Sequence, residues 1–219
     1  MGQGQRVRRR SNRRRGRQAP RGVDITSLAG NLVNTAAQLI TEHGPRGFSL
    51  REVARRARVS EAAPYWHFAS KEALLAAVAE QGFTSLAAAM GEARERSKDS
   101  RRQLREIGVA YVRFALVHPS HLRVMFGPEI PDKTAHPTLH QAADRAFDLL
   151  LAAITEAQRA GYARPGNPWD LAVSAWAMVH GLSSLLIDGQ LRERVRSTRD
   201  AEVLAARVTK LLEVGLVQP

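Results

Sequence analysis

Residues 47–75 constrain the fold of this chain more than any other stretch. Ser49 stands where a helix can start and Glu52 follows three residues on, the spacing of a capping box. Leu50, Val53, Ala54 and Ala57 recur at helical spacing and make one apolar stripe, flanked by Arg51, Arg55, Arg56 and Arg58. Arg58, Val59 and Ser60 read as a tight turn; if the turn needs a positive φ at Arg58, the side chain adds strain there. Ser60 is the expected cap of a second short helix that opens with Glu61, Ala62, Ala63 and Pro64. Proline is tolerated in a first turn, whose amides have no intrahelical partner. Tyr65, Trp66 and His67 come next, Phe68 turns inward as core, and Lys71 lies near the start of a third helix. This is a helix-turn-helix pattern, which presents the N-terminal end of its second helix to the major groove of DNA.

On that reading Ser49, Arg51, Ser60, Tyr65, His67 and Lys71 line the DNA-facing side. All but Ser60 suit phosphate oxygens, contacts that position a protein without specifying sequence. Glu61, Ala62 and Ala63 reach base edges: a carboxylate accepts from a cytosine amino group, and alanine methyls meet thymine methyls. Trp66 either joins that surface or packs beneath the next helix.

Charge is concentrated at one end. Among 219 residues the net charge is +12, and residues 1–22 hold nine arginines and no acid. The remainder carries 24 basic and 21 acidic groups, a net of +3, so its charge is almost balanced. The expectation is a disordered arginine-rich arm over residues 1–22, too polar and like-charged to fold alone. Such an arm either enters an adjacent minor groove or follows phosphates, with steep salt dependence, or is a dispensable extension. Hydrophobic residues make up 44% of the chain, ample for a core, and cysteine is absent, which removes disulfides and cysteine-based zinc sites. The expectation is a protein without a membrane span, working in the cytoplasm, because no apolar run approaches the roughly 18 residues a bilayer requires and no apolar segment follows the basic N-terminus.

No strand pattern and no internal repeat is present, so the class is all-α with about nine helices. A first helix covers residues 24–43 and ends at Gly44 and Pro45; a fourth runs from Lys71 to the mid-90s. Ser100 is the expected cap of a helix to Val117 whose face carries Leu104, Ile107, Tyr111, Phe114 and Ala115. A short helix ends at Phe126, a proline-rich loop spans Gly127 to Pro137, and a long helix runs from Thr138 to Ala160. Asn167 and Pro168 open a helix to Ile187 that is apolar on most sides, more than a surface helix needs, and the last helix covers residues 200–217. The domains expected are the arm at 1–22, a DNA-binding domain at 23–70 and a helical ligand-binding and dimerisation domain at 71–219.

Tyr65 to Phe68 followed by Ser70 to Leu75 closely resembles the DNA-binding head of the tetracycline-repressor (TetR) family of bacterial regulators. Trp176, His180 and Gly181, with Ala63, Pro64 and Tyr65, resemble a subgroup whose C-terminal domain carries a tryptophan-histidine-glycine signature. The resemblance implies a ligand-responsive regulator, a repressor released from a palindromic operator by a small, largely apolar effector. Its partners would be double-stranded operator DNA, that effector and a second copy of itself. The alternatives are an activator of the same fold and a low-specificity DNA-coating protein driven by the arm. The fourth helix links head and body in the family, and the last two helices form its dimer interface. That assigns Leu182, Leu185, Leu186, Leu204, Val208 and Leu211 to the interface, with Gly181, Ser183 and Ser184 allowing close helix approach. Tyr111, Phe114, Met125, Phe126, Phe147, Trp176 and His180 are the candidates for lining an effector pocket. Trp176 and His180, one helical turn apart, are otherwise packing residues, with His180 bonded to a carbonyl.

His118 with His121, and His136 with His140, have ligand-like spacings, but no cysteine supports them, and no metal or cofactor is expected. Nucleophile-elbow, phosphate-loop and dinucleotide patterns are all missing, so no enzymatic activity is expected.

Overall fold

The computed structural model describes the backbone of residues 27–216 and side chains from 27 to 211; the expected arm and the first residues of the expected first helix lie outside that range. Nine α-helices and no strands are found among the described residues: α1 (Leu28–His43), α2 (Leu50–Arg56), α3 (Ala63–His67), α4 (Lys71–Glu95), α5 (Ser100–Val117), α6 (Pro119–Phe126), α7 (Pro137–Arg159), α8 (Pro168–Ile187) and α9 (Thr198–Leu216). A single 3-10 turn, Lys133–Ala135, sits inside the loop between α6 and α7.

Local chemistry sets most of the starts. The hydroxyls of Ser27, Ser49 and Ser70 accept from Gly30, Glu52 and Ala73 amides, and Asn167 accepts from the Trp169 amide. Proline occupies the first turn of α6, α7 and α8. Two expected caps differ. Asp99, not Ser100, caps α5, its carboxylate taking the Arg101 amide at 2.9 Å. Ser60 makes no side-chain cap; its backbone carbonyl accepts from the Ala63 amide at 3.0 Å, and α3 starts after one further turn. The capping box at Ser49 is half-formed, because Glu52 turns to Arg55 (Nε–Oε2 3.0 Å) instead of back to the cap. Arg58 does take a positive φ of 58°, so the turn between α2 and α3 carries the strain of a left-handed non-glycine residue.

α4 carries the architecture. Its first half buries Leu74, Leu75 and Val78 on the side of α1, and its second half buries Phe83, Leu86 and Met90 under α5, α6 and α7. One hydrophobic core therefore runs without a break from Leu32 and Ile40 in α1 to Tyr111 and Met125 in the body. α5 lies inside the body, packed by α4, α7, α8 and α9. A smaller cluster, Ile154 with Leu171, Ala172 and Ala175, joins α7 to α8.

Contrary to the sequence expectation, α4 and α8 are both long and apolar enough, by length and composition, to cross a bilayer. α4 spends that apolar character on the core. α8 buries Leu171, Ala175, Val179 and Leu182 but leaves Ala177, Met178, Gly181 and Leu185 exposed on the other side. α9 likewise exposes Val203 and Leu211 while burying Ala201, Ala205 and Thr209.

Candidate nucleic-acid interface and effector cavity

The helix-turn-helix surface is built by two short elements, α2 and α3, packed on each other and on α1. Val53 and Phe68 point into the core, and this orientation turns the opposite sides of α2 and α3 to solvent. Tyr65 and Trp66 are 53% and 79% exposed, so Trp66 does not pack beneath the next helix. His67, Ala62, Ser60 and Ser49 are exposed beside them. Arg51 Nε lies 3.7 Å from Glu61 Oε2, both well exposed, an ion pair across the turn that presents one cation and one carboxylate together.

Two expected contacts sit elsewhere. Ala63 is only 5% exposed and Pro64 is buried with it, so Ala63 packs against the head instead of reaching base edges. Lys71 is half-buried over the Phe48 ring, 4.3 Å from its centroid, and donates to the carbonyls of Phe48 (2.7 Å) and Arg46 (3.1 Å). Burial pushes the Lys71 ammonium down, against the opposing pull of Glu129. Two of its three hydrogens therefore hold the α1–α2 loop, leaving one for a phosphate. No sequence signal marks those two carbonyl acceptors.

The body encloses a cavity of about 290 Å³ between α4, α5, α7 and α8, with single contributions from α9 and the 3-10 turn and two side chains of α6. Of the expected lining, Tyr111, Met125, Phe126, Phe147 and Trp176 are there. Phe114 is not; it is 5% exposed and stacks on the His118 ring, 5.0 Å between centroids. His180 also lies behind the wall: its Nδ1 is 2.8 Å from the Tyr111 hydroxyl, a side-chain partner in place of the expected carbonyl. Phe83, Leu86 and Met90 from α4 complete the apolar wall, a contribution that the periodicity of α4 could not separate from ordinary core.

The polar groups behind that wall form one chain from Trp176 through Tyr111 to His180. Indole nitrogen only donates, so Trp176 Nε1 gives its hydrogen to the Tyr111 oxygen at 3.3 Å. In the tautomer with Nδ1 of His180 bare, the Tyr111 hydroxyl donates to it at 2.8 Å. Burial raises the Tyr111 phenol, with a smaller opposing effect of the Trp176 bond, and burial lowers His180, so burial favours the neutral form of each.

A second polar chain joins head to body. Gln81 of α4 donates to Asn34 of α1 at 3.0 Å, and its carbonyl lies 3.1 Å from His121 Nε2 of α6. His121 Nδ1 is buried without a partner, and burial, helped by the neighbouring His118, pushes the imidazole down to about 4. Nearby, Arg46 meets Glu129 at 3.3 Å and Glu72 meets His136 at 3.3 Å. The histidine pairs do not act as pairs towards a common point: His118 and His121 stack edge to face, while His136 and His140 pair separately with Glu72 and Asp144.

Comparison with known proteins matches both halves of this architecture. Residues 32–78 match the model for bacterial regulatory proteins of the tetR family, and residues 104–212 match the tetracyclin repressor-like C-terminal domain. The chain belongs to the TetR family. Trp176, His180 and Gly181 fall inside the second match. Over 53 residues the chain is 42% identical to the tetracycline repressor protein class C of Escherichia coli, covering 24% of each protein. Over 143 residues it is 27% identical to the HTH-type transcriptional activator FasR of Mycolicibacterium smegmatis, covering 63% of each. The matched part is thus less than two thirds of either curated TetR-family relative. A solved structure of a protein of unknown function from Rhodococcus sp. RHA1 is 34% identical, covers 88% of this chain and 96% of its own, and superposes with a TM-score of 0.77.

Proposed function

We propose that this chain is a ligand-responsive, DNA-binding transcription regulator that acts as a homodimer and catalyses no reaction. The observation that carries the reading is the outward face of α2 and α3, where Tyr65, Trp66 and His67 stand exposed beside the Arg51–Glu61 pair. Aromatic side chains exposed to this degree cost solubility unless a partner covers them. Here Ser49, Arg51, Ser60, Tyr65, His67 and the remaining hydrogen of Lys71 contact phosphates and backbone, Trp66 contacts the DNA surface, and Glu61 and Ala62 reach base edges.

Dimerisation uses the unpartnered apolar sides of α8 and α9, centred on Met178, Leu185, Val203 and Leu211. Leu182 is 8% exposed and serves its own core, and Ser183 is fully buried with its hydroxyl on the Val179 carbonyl, so neither belongs to that surface. Leu186, Leu204 and Val208 are half-buried and flank it. A two-fold pair of heads then reads half-sites about one helical turn apart on a palindromic operator. A ligand in the cavity favours a state whose heads no longer match that spacing, which requires different affinity for the two states. Release of a repressor is the direction we favour, in the bacterial cytoplasm where the DNA lies.

The test is a salt-titrated anisotropy assay on DNA upstream of the gene, with scrambled DNA as competitor, using the full chain and one lacking residues 1–22. Strong preference in both, with a shallower salt slope in the shorter protein, supports an operator-specific regulator whose arm adds charge. Equal binding to any DNA, lost with the arm, refutes it. FasR, an activator by description, keeps activation as a second reading. A reporter in cells lacking the gene separates the two: target expression rises for a repressor and falls for an activator.

A further inference from the structure

With Nδ1 of His180 as the bare nitrogen, every hydroxyl and indole hydrogen on the cavity wall is used within the protein. Trp176 donates to Tyr111, Tyr111 donates to His180, and the Thr209 hydroxyl donates to the Ala205 carbonyl at 2.9 Å. A carbonyl or carboxylate pushed to the inner end of this cavity would be buried without a donor, which is costly. The inner end of any occupant is therefore apolar. The one lining group with hydrogens to give is the ammonium of Lys133, on the 3-10 turn between α6 and α7. It makes no hydrogen bond or ion pair with another described residue. The single acid on the wall, Asp144, is turned to His140, with Oδ2 3.5 Å from Nε2.

We propose that the cavity binds an amphipathic anion, with its apolar body inside and its anionic head on Lys133. A water takes about 30 Å³ and a methylene is of similar size, so the apolar body has on the order of ten heavy atoms. The proposal rests on reading this cavity as the effector site and adds the class of effector. A carboxylate and a phosphate head would both satisfy Lys133, and the probes below separate them.

The experiment is calorimetric titration of the full chain, without DNA, with decanoate, decyl phosphate, decanol and decylamine. The expected result is that at least one anion binds about tenfold tighter than decanol, the size of one charge-assisted hydrogen bond, with decylamine weakest. The tighter anion identifies the head group. Lys133→Met keeps the apolar stem and removes the charge, so it should abolish the preference for the anion and leave decanol binding unchanged. Asp144→Asn, which removes a competing negative charge, should tighten the anion several-fold and serves if the lysine variant folds poorly. Decanol binding as tightly as both anions, an anion preference that survives Lys133→Met in a folded protein, or no binding of any anion overturns the proposal.

Operator binding is then measured in the presence of the anion. Anion binding that leaves DNA affinity unchanged supports the ligand class while refuting the effector reading. Release by decylamine or decanol alone refutes the ligand class while leaving the effector reading intact.

Discussion

Acid should destabilise the fold of this protein through a single imidazole. His121 of α6 donates from Nε2 to the Gln81 carbonyl, and Gln81 is oriented by Asn34 of α1, so the histidine is neutral with a bare Nδ1 facing a buried space. Protonation would put a charge and an unpaired hydrogen there, next to His118. That is why burial, first, and the His118 charge, second, lower the imidazole from 6.5 to about 4.

Above about pH 6.5 folded and unfolded chains both keep His121 neutral, and its full contribution to stability is present. Between about 6.5 and about 4 only the unfolded chain takes up the proton, so stability falls as the pH falls. Below about 4 both forms are protonated and the loss is complete. At about 1.4 kcal/mol per pH unit between the two values, the whole loss is on the order of 3 kcal/mol, and most of it has occurred by about pH 4.5. Such a loss is a large part of a typical margin of roughly 5–15 kcal/mol.

The assay is urea unfolding at a series of pH values between about 7.5 and 4.5 for the wild type and for His121→Gln, which retains a donor for Gln81 but cannot titrate. Carboxylates such as Glu42 and Glu52, both lowered by hydrogen bonds from arginine, titrate in both proteins and cancel in the difference. The wild type should lose about 2–3 kcal/mol more than the variant over that range. Parallel pH profiles would refute the reasoning, because they would mean that His121 titrates as it does in water.

Three further outcomes follow from the same structure. Arg58→Gly should raise stability by up to about 1 kcal/mol, since it removes a left-handed conformation costing roughly 1–2 kcal/mol and returns part of that as chain entropy; an unchanged or lower urea midpoint would count against the φ of 58°. Ala63→Leu should destabilise the head by about 1–3 kcal/mol by overpacking a buried site, whereas Ala62→Leu, on an exposed position, should leave the midpoint in place. Equal effects of the two would mean that α3 presents a different face. Leu185→Asp combined with Leu211→Asp, at positions 46% and 69% exposed, should convert a dimer to a folded monomer in light scattering; a dimer that persists would place the interface elsewhere.

Much of the head was legible because its signals are local. Ser49 caps α2 through an amide three positions on, and the strained turn at Arg58 follows an apolar stripe that could be read directly. Ser60 departs from the sequence expectation for a comparable local reason: a serine before a helix can use its hydroxyl or its carbonyl, and here the carbonyl accepts from Ala63 and α3 starts one turn later. Ala63 lies in the core and not in the DNA-facing set.

The cavity was only half legible. Tyr111 and Phe114 both occupy the apolar face of α5, yet Tyr111 reaches the cavity while Phe114 stacks on His118. The choice depends on where α4, α7 and α8 cross α5.

The helical class, the head motif and an over-apolar α8 were determined by the sequence alone, since they depend on periodicity, caps and turn residues within one segment. Which side of each helix faces a cavity, a partner or the core was decided by the tertiary structure. The carbonyls held by Lys71, the Trp176–Tyr111–His180 chain and the Asn34–Gln81–His121 bridge each join groups from elements far apart in the chain. Hydrogen bonds of that kind leave no periodic trace, because their geometry exists only once the helices have packed.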